Sequence, residues 1–290
     1  MKLPKITDVR IVPGDSGFLI DDGTTAILYD SGFGFTGEQM ADRIQKELGN
    51  RKLNYIFLTH SHYDHALGSV AVAKRYPDAK IVAGSYTKTI FQKTSAKSIM
   101  RELDQKAAAQ WDSGNDTDMT DGLRVDLAVE DGDILDCGTM HFTVIALPGH
   151  TKCSVGFYLQ EHELLLGTET LGVYIDDETY LPSYLVGYHM TIASLDRTIT
   201  LKPKHILVPH YGVLSRDAAI RYLLTSKQIA EKTAQWIQSH LQQGLSQEAI
   251  LELLEERQYL SHVAPVYPLD AFRLNTSIMI RLIGKELLNL

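Results

Sequence analysis

The segment THSHYDH, residues 59–65, gathers three histidines and an aspartate: His60, His62, Asp64 and His65. The whole chain of 290 residues holds only 11 histidines, so this density asks for a chemical reason. Imidazole nitrogens and a carboxylate are the usual donors to Zn²⁺, Fe or Mn²⁺. The cluster follows an extended apolar run, and a two-residue period turns His60, His62 and Asp64 to one side, with His65 beside a helix start. Adjacent residues diverge, so four donors this close suit two ions sharing the loop better than one. No nucleophilic alternative competes. Neither GTET (167–170) nor GDSG (14–17) forms the G-x-S-x-G elbow, and Cys137 and Cys153 lack C-x-x-C spacing and read as buried structural thiols.

The elements that must position this cluster can be read from periodicity. Residues 9–14 (VRIVPG), 17–23 (GFLIDDG) and 25–32 (TAILYDSG) predict short strands ending at turns. Helical spacing takes over in 36–50, with Met40, Ile44 and Leu48 on one face and Gly49 as the stop. The strand 53–59 (LNYIFLT) delivers the chain into the histidines, a helix over 66–77 closes at Pro77, and 79–84 (AKIVAG) is a buried strand. Residues 86–112 read as helical, and the acidic stretch 112–122 as a solvated loop without the calcium-loop pattern. Strands return in 123–138, 140–149, 154–160 and 163–172, and again in 205–212. A helix over 215–244 capped by Ser215 follows, then one from Ser246 with Leu245 and Ile250 as a staple, then one over 271–290. This gives a mixed body, residues 1–213, and a helical extension, residues 214–290.

Apolar residues at 44% and charged residues at 22% match a globular protein with ample core. The net charge of −8 argues against nucleic acid as a partner, because that affinity rests on Lys and Arg. The N-terminus has no apolar signal region and no later run reaches a membrane span, so a cytoplasmic protein with no membrane partner is expected.

The THSHYDH segment resembles the H-x-H-x-D-H signature of the metallo-β-lactamase superfamily, in its glyoxalase-II-like branch. The neighbouring motifs arrive in the family's order. ILYDSG is similar to the strand-end aspartate segment and gives Asp30; LPGHT gives His150; LVPHYG gives His210, where the family usually writes Gly-His-Gly. The segments 129–138 and 141–151 also resemble the family's connecting strands, and the resemblance covers roughly residues 8–213. It implies an α/β (α+β) fold, a four-layer αββα sandwich with C-terminal helices and two metals at one edge. It further implies that His60, His62 and His150 hold one ion, that Asp64, His65 and His210 hold the second, and that Asp30 orients ligands by hydrogen bonds. Taken alone, Asp30 also suits a turn cap before Gly32. One position departs from the pattern. Where the family has a bridging aspartate this chain has Glu169, which keeps the charge and both oxygens and adds one methylene.

Two divalent cations (Zn, Fe or Mn) about 3.5–4 Å apart can share a hydroxide near neutral pH. Asp64 is the natural group to orient it and pass a proton to the leaving group. The expected activity is hydrolysis of a small ester-like substrate: thioester, lactone, ester or phosphoester. The alternative is a metal-containing regulatory or interaction protein with vestigial turnover. Tyr174, Tyr184, Tyr188 and His189, in the segment after Glu169, are candidates for an aromatic-lined substrate loop. The remaining histidines, His141, His162, His205, His240 and His262, read as surface or hydrogen-bonded residues. The C-terminal helices resemble appendages that shape the pocket or build a homodimer contact.

Overall fold

The structure, a computed structural model, describes residues 3–111, 113, 114 and 117–290. Two six-stranded sheets form its centre. The first runs in the order β1 (Lys5–Asp8), β2 (Phe18–Asp21), β3 (Ala26–Tyr29), β4 (Tyr55–Leu58), β5 (Lys80–Gly84) and β6 (Leu127–Val129). The second comprises β7 (Ile134–Cys137), β8 (Met140–Ala146), β9 (Val155–Leu159), β10 (Leu164–Leu166), β13 (His205–Val208) and β14 (Gly212–Ser215), with β13 between β10 and β14. A small hairpin, β11 (Val173–Tyr174) with β12 (Tyr180–Leu181), lies between them in sequence.

The central strands of both sheets are buried on two faces, and period two sorts their side chains. In β3, Ile27 and Tyr29 face the space between the sheets, while Ala26 and Leu28 face an outer helical layer. In β10, Leu164 and Leu166 point between the sheets and Leu165 points outward. Phe57 of β4 meets Phe157 at 4.5 Å and Phe142 at 5.3 Å between ring centroids, pinning one sheet to the other. Each such aromatic pair contributes about 0.5–1.5 kcal/mol beyond area burial. The outer layer on the first sheet includes α1 (Gly37–Leu48) and α3 (Ser69–Arg75); the layer on the second includes α6 (Tyr188–Leu201) and α7 (Asp217–Gln242). This is the four-layer sandwich expected from the sequence. A separate apolar cluster unites α7 with α8 (Gln247–Gln258) and α9 (Leu269–Leu288).

Several local expectations need correction. Residues 9–14 form no strand: β1 lies earlier, and Asp15 folds the segment into a turn by accepting the Ile11 N–H at 3.0 Å. The helix expected over 66–77 is two pieces, α2 (Tyr63–Ala66) and α3, separated at Gly68. There the chain touches the loop after β3; a Cβ on Gly68 would sit 1.9 Å from the Ser31 carbonyl oxygen. Residues 86–112 likewise divide into α4 (Ser85–Phe91) and α5 (Thr94–Gln110). Ser215 belongs to β14 and does not cap α7; its hydroxyl bonds His205 Nδ1 at 2.8 Å. The boundary expected after residue 213 therefore falls inside β14. Ser246 does cap α8, accepting the Ala249 N–H. Part of the acidic loop, residues 112, 115 and 116, lies outside the described residues. No described helix is long and apolar enough to cross a membrane.

Asp104 of α5 ties this helix to the loop after β3, its Oδ1 accepting the Gly34 N–H at 2.8 Å. Burial, aided by the Asp15 and Asp64 carboxylates and opposed by the Gly34 and Phe35 N–H groups, pushes its carboxyl up to about 7.

Two outcomes follow from these contacts. Gly68→Ala forces the Ser31 segment outward and destabilises by about 1–3 kcal/mol, a fall in melting temperature of roughly 3–10 °C in a calorimetric scan; an unchanged melting temperature would show that the approach is not tight. The folded state holds the Asp104 proton more strongly than the unfolded chain, so that stability is present near pH 4 and lost as pH rises to about 7. Asp104→Asn cannot titrate, so its melting temperature minus that of the parent rises from pH 4 to pH 7 and levels above. A constant difference across that range contradicts the assignment.

Candidate metal centre

The C-terminal ends of five strands reach one edge of the sandwich, where open α/β sheets commonly place ligands. β3 runs into Asp30, β4 into residues 59–65, β8 into His150, β10 into Glu169 and β13 into His210. The two sheets are tied together at this edge. The Tyr29 hydroxyl donates to the Gly167 carbonyl at 2.7 Å, and the Val155 N–H donates to the Thr59 carbonyl at 2.9 Å. Asp30 and His210 both adopt left-handed backbone, φ 51° and 63°, which is uncommon outside glycine. Strain of this kind persists only where surrounding contacts fix it.

Two groups of donors converge. His60, His62, His150 and Glu169 form one; Asp64, His65 and His210 form the other, with the donor atoms of each group within 4.8 Å of one another. The Glu169 carboxylate lies between them. Its Oε2 is 2.8 Å from His150 Nε2 and 3.6 Å from both His60 Nε2 and His65 Nε2, while Oε1 is 3.5 Å from His210 Nε2. The extra methylene of glutamate thus still brings both oxygens to the centre.

Outer partners assign the imidazole tautomers. His65 Nδ1–H donates to Asp30 Oδ2 at 2.8 Å, and His210 Nδ1–H to the Asp15 carbonyl at 3.1 Å. His150 Nδ1–H meets the Ser183 hydroxyl at 2.7 Å. The Thr59 hydroxyl donates to Asp30 Oδ2 and so accepts from His60 Nδ1–H at 3.0 Å. In each ring this leaves the Nε2 lone pair aimed inward. The consequences are electrostatic. His65 Nε2 and His210 Nε2 stand 3.1 Å apart, two lone pairs that a cation or a proton must bridge. His60 Nε2 is buried and has no hydrogen-bond partner. An orphaned imidazole nitrogen facing a carboxylate is what a cation site leaves behind, so the donor set fits divalent metal.

The ionisation of these groups follows their surroundings. Burial, reinforced by the neighbouring imidazoles, holds His60 and His62 well below the ordinary histidine range, as neutral nitrogen donors. His65 moves well above it: burial opposes its charge, but the Asp30 and Asp64 carboxylates outweigh burial. Burial also opposes the Glu169 carboxylate, yet His150, His210 and His65 keep it well below the usual range. Asp64 is pushed up, by burial and then by Glu169. Asp64, Glu169 and His210 retain 19%, 12% and 13% side-chain exposure, so the centre opens on their side. A cavity of about 470 Å³ begins there, lined by His62, Asp64, His150, Glu169 and His210 among others.

Residues 12–210 match the sequence profile of the Metallo-beta-lactamase superfamily. The chain belongs to that superfamily. Within it, this chain is 28% identical over 141 residues to Glyoxylase B2 of Dictyostelium discoideum, covering 48% of this chain and 44% of that protein. It is 26% identical over 144 residues to the hydroxyacylglutathione hydrolase of Buchnera aphidicola, covering 50% and 42%. Either match spans less than half the relative's length. A crystal structure of a beta-lactamase domain protein from Burkholderia ambifaria aligns over 94% of this chain and 81% of its own, with a TM-score of 0.64 at 13% identity. That likeness is one of fold.

The substrate-loop candidates separate. Tyr174 lines the cavity, its hydroxyl donating to Asp177 Oδ1 at 2.8 Å. Tyr184, Tyr188 and His189 are not lining residues. Tyr184 is fully buried against the C-terminal helices, and Glu286 of α9 accepts the backbone N–H groups of Tyr188 and His189. Of the remaining histidines, His141, His205, His240 and His262 make hydrogen bonds away from the centre. Asp15, Thr59 and Ser183 hold ligand rings and were not anticipated. All three act through backbone or hydroxyl groups that no side-chain motif displays. For Asp15 a signal existed: the tetrapeptide DSGF occurs twice, at 15–18 and 30–33. Both copies serve the centre, since Ser16 Oγ also donates to Asp30 Oδ2.

Outer partners that fix ligand rings typically set metal affinity by 10–100-fold. Asp30→Asn, which loses the charge on His65, accordingly weakens the tighter-bound metal equivalents by about that factor in a chelator competition titration, with the fold retained by circular dichroism. Equal affinity in parent and variant contradicts the role.

Proposed function

We propose that this protein is a dinuclear metal-dependent hydrolase of a small ester-like substrate. The observation that carries the reading is the Glu169 carboxylate lying between two complete donor groups. His60, His62 and His150 would hold one divalent ion (Zn, Fe or Mn), Asp64, His65 and His210 the other, and Glu169 both. Such ions supply Lewis acidity and lower the pKa of water to about 7. The hydrolase name of the Buchnera aphidicola relative supports the reaction class.

The chain's own residues have definite tasks in this reading. Asp30 and Thr59 hold His65 and His60 as single tautomers, so their Nε2 atoms stay available. Asp64, the exposed carboxylate of the second group, sits where water and substrate enter. Its upward shift suits a group that takes a proton on one oxygen and returns it. The balance is that of hydrolysis: the water oxygen bonds the carbonyl carbon, the carbon–oxygen or carbon–sulfur bond breaks, and the departing alcohol or thiol receives the proton.

The test is a panel of thioester, ester, lactone and phosphodiester substrates with metal-loaded protein. His62→Ala, which removes one donor, lowers kcat/KM on any turned-over substrate by at least about 10²-fold, with metal content falling in parallel. Two equivalents of bound metal with no turnover anywhere in the panel would contradict the hydrolase reading.

A further inference from the structure

The cavity continues beyond the metal donors into a wall that no catalytic task requires. Ile99, Met100 and Leu103 of α5 line one part of it, with Trp111 just past the helix end. Leu274 and Ile278 of α9 line another, preceded by Pro265 and Val266 of the connecting segment. Ile99 and Leu274 are 57% and 45% exposed, large apolar groups held in water at the rim. Tyr267, whose hydroxyl accepts a hydrogen bond from Asn275 Nδ2, adds a neutral polar group to the same wall. Among the described residues no lysine or arginine lines the cavity, and its carboxylates are Asp64 and Glu169.

This composition selects between ligand classes. A phosphate or polyanionic tail finds no cationic side chain here and meets two carboxylates. A polar uncharged tail would leave its hydrogen-bonding groups facing Ile99, Met100, Leu103, Leu274 and Ile278, at a desolvation cost. An aliphatic tail gains from every methylene it buries. Because the wall is continuous with the donors, its occupant is part of the molecule whose carbonyl reaches Asp64 and Glu169. At roughly 30 Å³ per water-sized group, 470 Å³ admits about fifteen non-hydrogen atoms.

We propose that the wall between α5 and α9 is an acyl pocket, taking the aliphatic chain of an ester, thioester or lactone of about eight to ten acyl carbons. The assignment rests on the hydrolase reading and names its substrate class. The C-terminal extension thereby sets specificity, because α9 supplies one side of the wall while supplying none of the metal donors.

The test uses the full-length, metal-loaded protein and p-nitrophenyl esters from acetyl to dodecanoyl. Burying one methylene corresponds to about fourfold, so kcat/KM rises about three- to fourfold per carbon and levels off near ten. Leu274→Glu lowers kcat/KM for the decanoyl ester by at least tenfold, whereas Leu224→Glu, an exposed position on α7, leaves the profile as in the parent. A second readout needs no turnover: octan-1-ol, but not butan-1-ol, shifts Trp111 emission to the blue saturably, with or without metal, in a Trp236→Phe background. Hydrolysis of the acetyl ester with a flat chain-length profile overturns the acyl pocket and leaves the hydrolase standing. So does a preference for bis-p-nitrophenyl phosphate. Saturable octanol binding with no turnover of any thioester, ester, lactone or phosphodiester supports the pocket and removes the hydrolase reading.

Discussion

One largely buried carboxylate sets the terms for this molecule. Glu169 sits in a desolvated space, its oxygens between 2.8 and 3.6 Å from the inward nitrogens of four imidazoles. Taking a carboxylate out of water costs several kcal/mol unless opposite charge meets it. The positive charge that meets it among these side chains is what the histidines carry or what they bind. All four rings, His60, His65, His150 and His210, spend their outer N–H on a protein acceptor, so compensation has to arise in the space they share with Glu169.

The sandwich exists, from this viewpoint, to bring five distant segments to one edge. Its core does this without any side chain of the centre. Phe57, Phe142 and Phe157 fix the spacing of the sheets, and the strand ends then arrive in register. The loops beyond those ends are held by close contact rather than by bulk. Gly68 lies against Ser31, whose N–H and hydroxyl both donate to the His65 carbonyl at 2.8 Å. A shift at Gly68 therefore moves Asp30 and His65 together. Left-handed backbone at Asp30 and His210 completes the aiming, and both residues are held by bonds from their neighbours.

Much of this was legible in the sequence, and the reason is locality. His60, His62, Asp64 and His65 declare themselves because four donors fall in one turn of chain. The strands β3, β4 and β10 read correctly because both their faces are apolar and short turns bound them. What stayed hidden depends on tertiary contact. The break at Gly68 follows from a neighbouring carbonyl, since Ala66 and Leu67 before it and Ala71 and Ala73 after it are good helix formers. The turn at 9–14 follows from Asp15 capping Ile11, which outcompetes the β-branched residues there. The cavity wall draws on α5 and α9, separated by more than 150 residues, and each reads alone as an ordinary amphipathic helix. Tyr184, Tyr188 and His189 do not line the cavity although Ser183, Leu185 and Val186 beside them reach the centre or its cavity: Tyr184 packs into the C-terminal helices, and Glu286 holds the backbone of Tyr188 and His189.

The central claim is that two cations share Glu169, and crystals of the purified protein test it most directly. Anomalous scattering collected across the Mn, Fe and Zn edges counts and identifies the ions. Two peaks are predicted, one among His60, His62 and His150 and one among Asp64, His65 and His210, with a Glu169 oxygen in contact with each. A single peak, or Glu169 turned away from both sites in fully loaded crystals, contradicts the account.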